Sequence, residues 1–205
     1  MLLPDPDPLP PAPITPLVAV IDSCVFPRRD WLDPILRGAR AGYVVPIWSP
    51  LIISEVNRLL TWMWLQRHDG EQTASTWTAC SEASKRWFEI MTAVFRVADG
   101  CPPPEQAWSS QRDSWDVPVR SAAKRSGAHV VVTDNLRDGP PADDDGRRVF
   151  EGVVWCHPAV FAEVIDLWAD VVATGELHEQ SEDSESTVQI SLELLLERVR
   201  PAPRS

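Results

Sequence analysis

The chain has 205 residues and a formal net charge of −11, long enough for one sizeable domain with tails and too short for two full ones. Its cysteines, Cys24, Cys80, Cys101 and Cys156, form no C-x-x-C pair, Met1 opens no charged-then-apolar leader, and no apolar stretch approaches the roughly 20 residues that span a bilayer. The expectation is a soluble protein of a reducing cytoplasm, with free thiols and no membrane contact.

The charge is uneven. From Glu176 onward seven acids face three arginines, so the folded part is only mildly acidic. That argues against broad electrostatic binding of nucleic acid, though a narrow track beside metal ions remains open.

In chain order, residues 1–16, "MLLPDPDPLPPAPITP", are nearly half proline and form an extended leader. "LVAVI", Leu17 to Ile21, is a short apolar run of the kind buried on both faces of a sheet. "DWLDPILRGARAG" reads as a helix stopped by Gly42, and "YVVPIW" as a strand in which Pro46 marks an edge or a bulge. Ser49 caps a helix that starts at Pro50, with Leu51, Ile52, Val56, Leu59, Leu60 and Met63 as its apolar stripe. Residues 71–97 continue as helix, with Trp77, Cys80, Ala83, Trp87, Ile90, Met91 and Val94 at spacings of three and four. Trp62, Trp64, Trp87 and Trp168 fall in helical runs and are read as core rather than base-stacking platforms.

"DVPVRSAAKRSG" is a helix closed by Gly127, "AHVVVT" and "GVVWC" are strands, and "PAVFAEVIDLWADVVATG" is a helix ending at Gly175. Continuously apolar strands alternating with helices predict an α/β fold of three α/β/α layers around a parallel sheet, over residues 17–175. Residues 176–205 follow as an acidic linker and an amphipathic C-terminal helix, "TVQISLELLLERV".

Polar groups cluster where these strands end. "LVAVI" hands over to Asp22 and Ser23, and "VVVT" to Asp134 and Asn135, with Asp138 three residues on. In an open parallel sheet that edge is where ligands bind. Glu55 lies at the margin of its helix's apolar stripe, opposite Asn57 and Arg58, and Asp116 sits at a helix start ahead of Pro118. Singly, Glu55 reads as half of a salt bridge and Asp116 as a cap. If Asp22, Glu55 and Asp116 meet with about 5 Å between charges, each pair repels by about 3 kcal/mol at an effective dielectric of about 20. Oxygen ligands alone select a hard cation, Mg²⁺ or Mn²⁺, and such a site activates water and clamps a phosphodiester. The histidines, His68, His129, His157 and His178, show no metal-ligand spacing, and His129 and His157 are read as packing or loop residues.

These motifs, "VAVIDSCVFP", "YVVPIWSPLIISEV", "DVPVRSAAKRSGAHVVVTDNLRDGP" and "VVWCHPAVFAEVIDL", resemble in order those of PIN-domain nucleases, from roughly Leu17 to Trp168. The resemblance is to the bacterial branch with "W-S" before the second acid and T-x-N-L-x-D as the fourth motif. It implies Asp22, Glu55 and Asp116 as the first, second and third metal-binding acids. The usual fourth acid is here Asn135, with Asp134 beside it as a possible replacement ligand, and Asp138 matches a further recurrent acid.

Cys24 stands where members commonly carry asparagine. The implied activity is hydrolysis of RNA by a Mg²⁺- or Mn²⁺-dependent endonuclease, with Ser23 and Asn135 positioning ligands. Arg28, Arg29 and Arg120 are candidate contacts to the RNA backbone. Many relatives are VapC-type toxins neutralised by a small antitoxin, and many are dimers. The alternative reading is a PIN-like scaffold of weak or no activity that binds a partner through its C-terminal helix.

Overall fold

The computed structural model describes residues 16–67, 73–99 and 117–174. Asp116, residues 1–15 of the leader, the acidic linker and the C-terminal amphipathic stretch lie outside the described residues. Apolar, β-branched runs set the strands. β1 (Leu17–Ile21), β2 (Val44–Trp48), β4 (Val130–Val132) and β6 (Val153–Cys156) all run parallel, and Ala19, Val20, Ile21 and the three valines of β4 have no exposed surface. Strands without a polar face suit a sheet covered by helices on both sides.

Two short strands complete a six-stranded sheet of order β3-β2-β1-β4-β6-β5. β3 (Arg96–Val97) is parallel to β2, and β5 (Val149–Phe150) is antiparallel to β6. Two residues carry no periodicity, so neither strand is visible in the sequence, and the helix expected through residue 97 ends at Thr92. β3 pairs with Ile47 and Trp48 but not with Pro46. Proline thus sits where β2 has a paired neighbour on one side only, consistent with its missing donor. The β5–β6 hairpin turns on Glu151 and Gly152, both left-handed at φ 52° and 80°, the geometry of a type I′ turn.

The helices are α1 (Arg29–Arg40), α2 (Pro50–Arg67), α3 (Ala74–Thr92), α4 (Val117–Ser126) and α5 (Pro158–Thr174). Ser49 caps α2 by accepting the Ile52 amide, as its place before Pro50 implies. Gly42, at φ 80°, ends α1: its amide and that of Tyr43 return to the carbonyls of Ala39 and Gly38, which satisfies the last turn. α1 packs on α5, while α2 packs on α3 and α4 lies against β1 and β2. This is an α/β fold compatible with three layers. Among the described residues no helix is long and apolar enough to cross a membrane.

Trp48 anchors an aromatic cluster with Phe26, Trp87, Phe88 and Phe95, its nearest ring centroid 4.9 Å away. Trp168 is buried as expected. The expected core needs correction at four positions, the stripe residues Leu51, Trp77 and Ile90 and the helical Trp62. Leu51, Trp62 and Ile90 are about 60% exposed and Trp77 45%, because α2 and α3 bury Ile52, Val56, Leu60, Cys80 and Met91 instead. A stripe drawn by angle overestimates the width of the covered face.

His129 joins the sheet through its ring. Its amide donates to the Val18 carbonyl at 2.9 Å, and its Nδ1 accepts the Val18 amide at 3.1 Å. That second bond needs a neutral ring, and burial holds the imidazole below its ordinary value of 6.5. The unfolded chain therefore takes up the proton first. This contribution to stability is complete above the unfolded value and declines as pH falls through it. The urea midpoint is expected to drop between about pH 7.5 and about pH 5.5, and to drop less in His129→Gln, whose amide oxygen remains an acceptor.

Gly38 lets α1 pack tightly on α5, for a Cβ there would lie 2.9 Å from Ile165 Cγ2. Alanine favours a helix by about 0.5–1 kcal/mol over glycine, but overpacking costs about 1–3 kcal/mol. Gly38→Ala is expected to be less stable in urea, and Gly38→Ala/Ile165→Ala to lose less than the two single changes added.

Candidate functional site

β1 leads to β2 and β3 on one side of the sheet, and β4 leads to β6 and β5 on the other. The carboxyl ends of β1 and β4 therefore flank the point where strand order reverses, and a crevice opens there in sheets of this kind. Ile21 is in register with Val132, so the next residues, Asp22 and Thr133, emerge side by side. The Asp22 amide still donates to the Val132 carbonyl at 3.0 Å. Asp22 then caps a single 3-10 turn, Ser23–Val25.

The Asp22 carboxylate is buried, and a buried carboxylate needs several donors. Oδ1 accepts the Ser23 amide at 2.6 Å, with the Ser23 hydroxyl at 3.4 Å. Oδ2 accepts the Thr133 hydroxyl at 2.6 Å and the Cys24 thiol at 3.2 Å. Both of these donors are held from behind by backbone: the Asn135 amide donates to Thr133 Oγ1 at 3.0 Å, and the Asp134 amide to Cys24 Sγ at 3.3 Å. Asp134 and Asn135 thus act on Asp22 through their amides. Burial first, then the charge of Asp22, pushes the Cys24 thiol up to about 12, so at neutral pH it remains S–H.

The Asp134 side chain is engaged elsewhere. Its Oδ1 lies 2.8 Å from His157 Nε2. His157 Nδ1 accepts the Ala159 amide in the first turn of α5 at 3.1 Å, which leaves the ring proton on Nε2 to donate to Asp134. Trp31 packs edge-on to His157, with centroids 5.2 Å apart, and Arg28 lies over Trp31 at 4.2 Å. Arg28 also pairs with Asp30 at 3.2 Å. Arg28 and Arg29 are exposed at the start of α1, on the same rim. His157, read from the sequence as a packing or loop residue, is part of this rim. Asn135 is half-buried, and Asp138 is largely buried with Arg137 3.6 Å away.

Glu55 lies at the margin of α2, but Arg58, expected on the opposite side, shares its face because residues three apart on a helix are neighbours. Glu55 is half-buried, with Arg58 one turn on at 3.8 Å. α2 packs against the Ser23–Val25 turn, so the helix carrying Glu55 adjoins the segment that follows Asp22. Among the described residues, no three His, Cys, Asp or Glu side chains are grouped to hold one ion; of the three expected acids, Asp22 and Glu55 are described. Their donor chemistry, carboxylate oxygens with the Ser23 hydroxyl beside Asp22, fits a hard cation in kind.

Arg120 requires a correction. The sequence makes it a candidate contact to the RNA backbone, but it is only 3% exposed, ion-paired with Glu151 at 3.1 Å and stacked 4.2 Å over Phe150. It borders a cavity of about 330 Å³ with Gly127, Ala128 and Gly152. These residues precede β4 and β6, at the sheet edge opposite Asp22. On α4 the arginine faces the hairpin turn, where it offsets the charge of Glu151.

Comparison of the chain with protein-family models, curated proteins and solved structures finds no match. Within the site itself, Thr133→Val keeps the shape of the side chain but removes a donor to a buried carboxylate. The variant is expected to lose about 1.5–3 kcal/mol in chemical denaturation, whereas Thr133→Ser should stay close to the parent.

Proposed function

We propose that this protein is a PIN-like ribonuclease that hydrolyses RNA phosphodiester bonds with Mg²⁺ or Mn²⁺. The observation that carries the reading is Asp22, a buried carboxylate oriented by protein donors at the switch point of the sheet. Beside it runs the helix that bears Glu55. The ordered resemblance of the sequence motifs supports the same reading.

In this proposal Asp22, Glu55 and Asp116 hold the cation, and Ser23 and Asn135 orient ligands around it. The cation, when bound, supplies an activated water and counter-charge for the phosphate. Arg28 and Arg29, exposed on the rim, contact the RNA backbone through charge, which makes binding salt-dependent. Asp134 and Asp138 support the β4 exit. The compartment proposed is the cytoplasm. A small antitoxin and a second copy of the chain are the proposed protein partners.

A second reading has one observation in its favour. A cleft of about 550 Å³ runs between α2 and α3, lined by Ile53, Trp77 and Phe88 among others, and Trp62 and Trp77 are exposed on these helices. That surface suits a scaffold that binds a partner.

The two readings separate on RNA cleavage. With Mn²⁺ and single-stranded RNA, Asp22→Asn is expected to cut at least about 100-fold more slowly, a loss of about 2.7 kcal/mol in transition-state stabilisation. Glu55→Gln and Asp116→Asn should fall in the same direction. Undiminished cleavage by Asp22→Asn would remove the nuclease assignment.

A further inference from the structure

We propose that the cavity between α4 and the β5–β6 hairpin binds a small organic carboxylate with an apolar body, which takes the place of the Glu151 carboxylate on Arg120. The proposal stands independently of the nuclease reading. Its residues border the sheet edge opposite Asp22 and share none of the groups at that rim.

The cation of this ion pair is fixed, and its counter-ion is exchangeable. Arg120 is buried, with its guanidinium stacked over Phe150. A guanidinium at that depth needs a negative partner, and Glu151 supplies one at 3.1 Å. Glu151 itself sits in the hairpin turn with 40% of its side chain exposed. Among the described residues it is also the one non-glycine with a left-handed backbone, φ 52°, a conformation disfavoured for a residue with a side chain. Releasing an exposed carboxylate into water costs little. An incoming carboxylate meets the same planar guanidinium that Glu151 leaves.

The surroundings suit such a ligand. The cavity holds about 330 Å³, at the small end of the roughly 300–1,000 Å³ of ligand clefts. Lys124, four residues beyond Arg120 and so on the same face of α4, borders it as well. Two cations and one carboxylate therefore line a cavity in a chain whose net charge is −11, a local reversal of sign that favours an anion. Phe150, Val153 and Trp155 supply apolar walls, and an apolar lining with a few charged groups is what orients a small ligand. A Cβ at Gly127 or Gly152 would meet nothing within 4 Å, so both glycines border open space.

The test is a ¹H–¹⁵N NMR titration of the full chain with sodium benzoate, with benzyl alcohol and inorganic phosphate as controls. Benzoate is expected to shift the Arg120 Nε–H signal and the Gly127 and Gly152 amides saturably. Benzyl alcohol lacks the charge and phosphate the apolar body, so each should bind at least about fivefold more weakly. Glu151→Gln removes the competing carboxylate and is expected to tighten benzoate binding at least about threefold. Lys124→Gln should weaken it by about two- to fivefold.

Absence of a saturable shift at these signals, in the parent and in Glu151→Gln alike, overturns the proposal. So does binding of either control as tight as that of benzoate, and so does an unchanged affinity in either variant. Lys124 and Glu151 are exposed, and substitutions at such positions leave a protein folded. Asp22→Asn is expected to bind benzoate as the parent does, which keeps this outcome separate from that of the nuclease reading.

Discussion

Two adjacent parallel strands end in one hydrogen bond, from the Thr133 hydroxyl to Asp22 Oδ2, and the rim of the sheet is organised around it. The bond exists because the β1–β4 register sets Ile21 against Val132. A shift by one residue would turn every side chain of the strand to the opposite face. It would also leave a carboxylate buried without its donors, a cost the apolar register alone does not impose. Core and site thus enforce the same alignment. The valines of β4 fix it through packing, and the polar exit of the strand fixes it through hydrogen bonding.

The network is directional as well as local. Backbone amides of Asp134 and Asn135 hold Cys24 and Thr133, which in turn hold Asp22. Charged and polar groups in a partly desolvated place strengthen one another when all are satisfied. A second group lies on the same rim, where Asp134, His157, Trp31 and Arg28 follow in contact. It ties the start of α5 and the start of α1 to the exit of β4. Asp134 belongs to both groups, its amide serving one and its carboxylate the other.

Much of this arrangement is legible in the sequence, for identifiable reasons. The strands from Leu17, Val44, Val130 and Val153 are read from continuous apolar runs, and the ends at Gly42 and Gly127 from the need for a left-handed residue after a helix. Asp22 and Glu55 are found because polar groups after buried strands, or beside a buried stripe, need a reason to be there. What escapes has equally plain causes. β3 and β5 are too short to show a period. The burial of Arg120 depends on the Glu151–Gly152 turn, which comes from a distant part of the chain. His157 lies 23 residues from its partner Asp134, a pairing set by β4 and β6 lying side by side. In the sequence Thr133 is only the end of a strand; its role at Asp22 follows from strand register, which spacing within one segment does not reveal.

The central claim is the proposed one, that the rim at Asp22 and Glu55 binds a small, hard cation. Anomalous diffraction from crystals grown with Mn²⁺ tests it most directly. The expected result is a peak within coordinating distance of the Asp22 carboxylate on this rim. A fully occupied ion elsewhere, with none at the rim, would contradict the account.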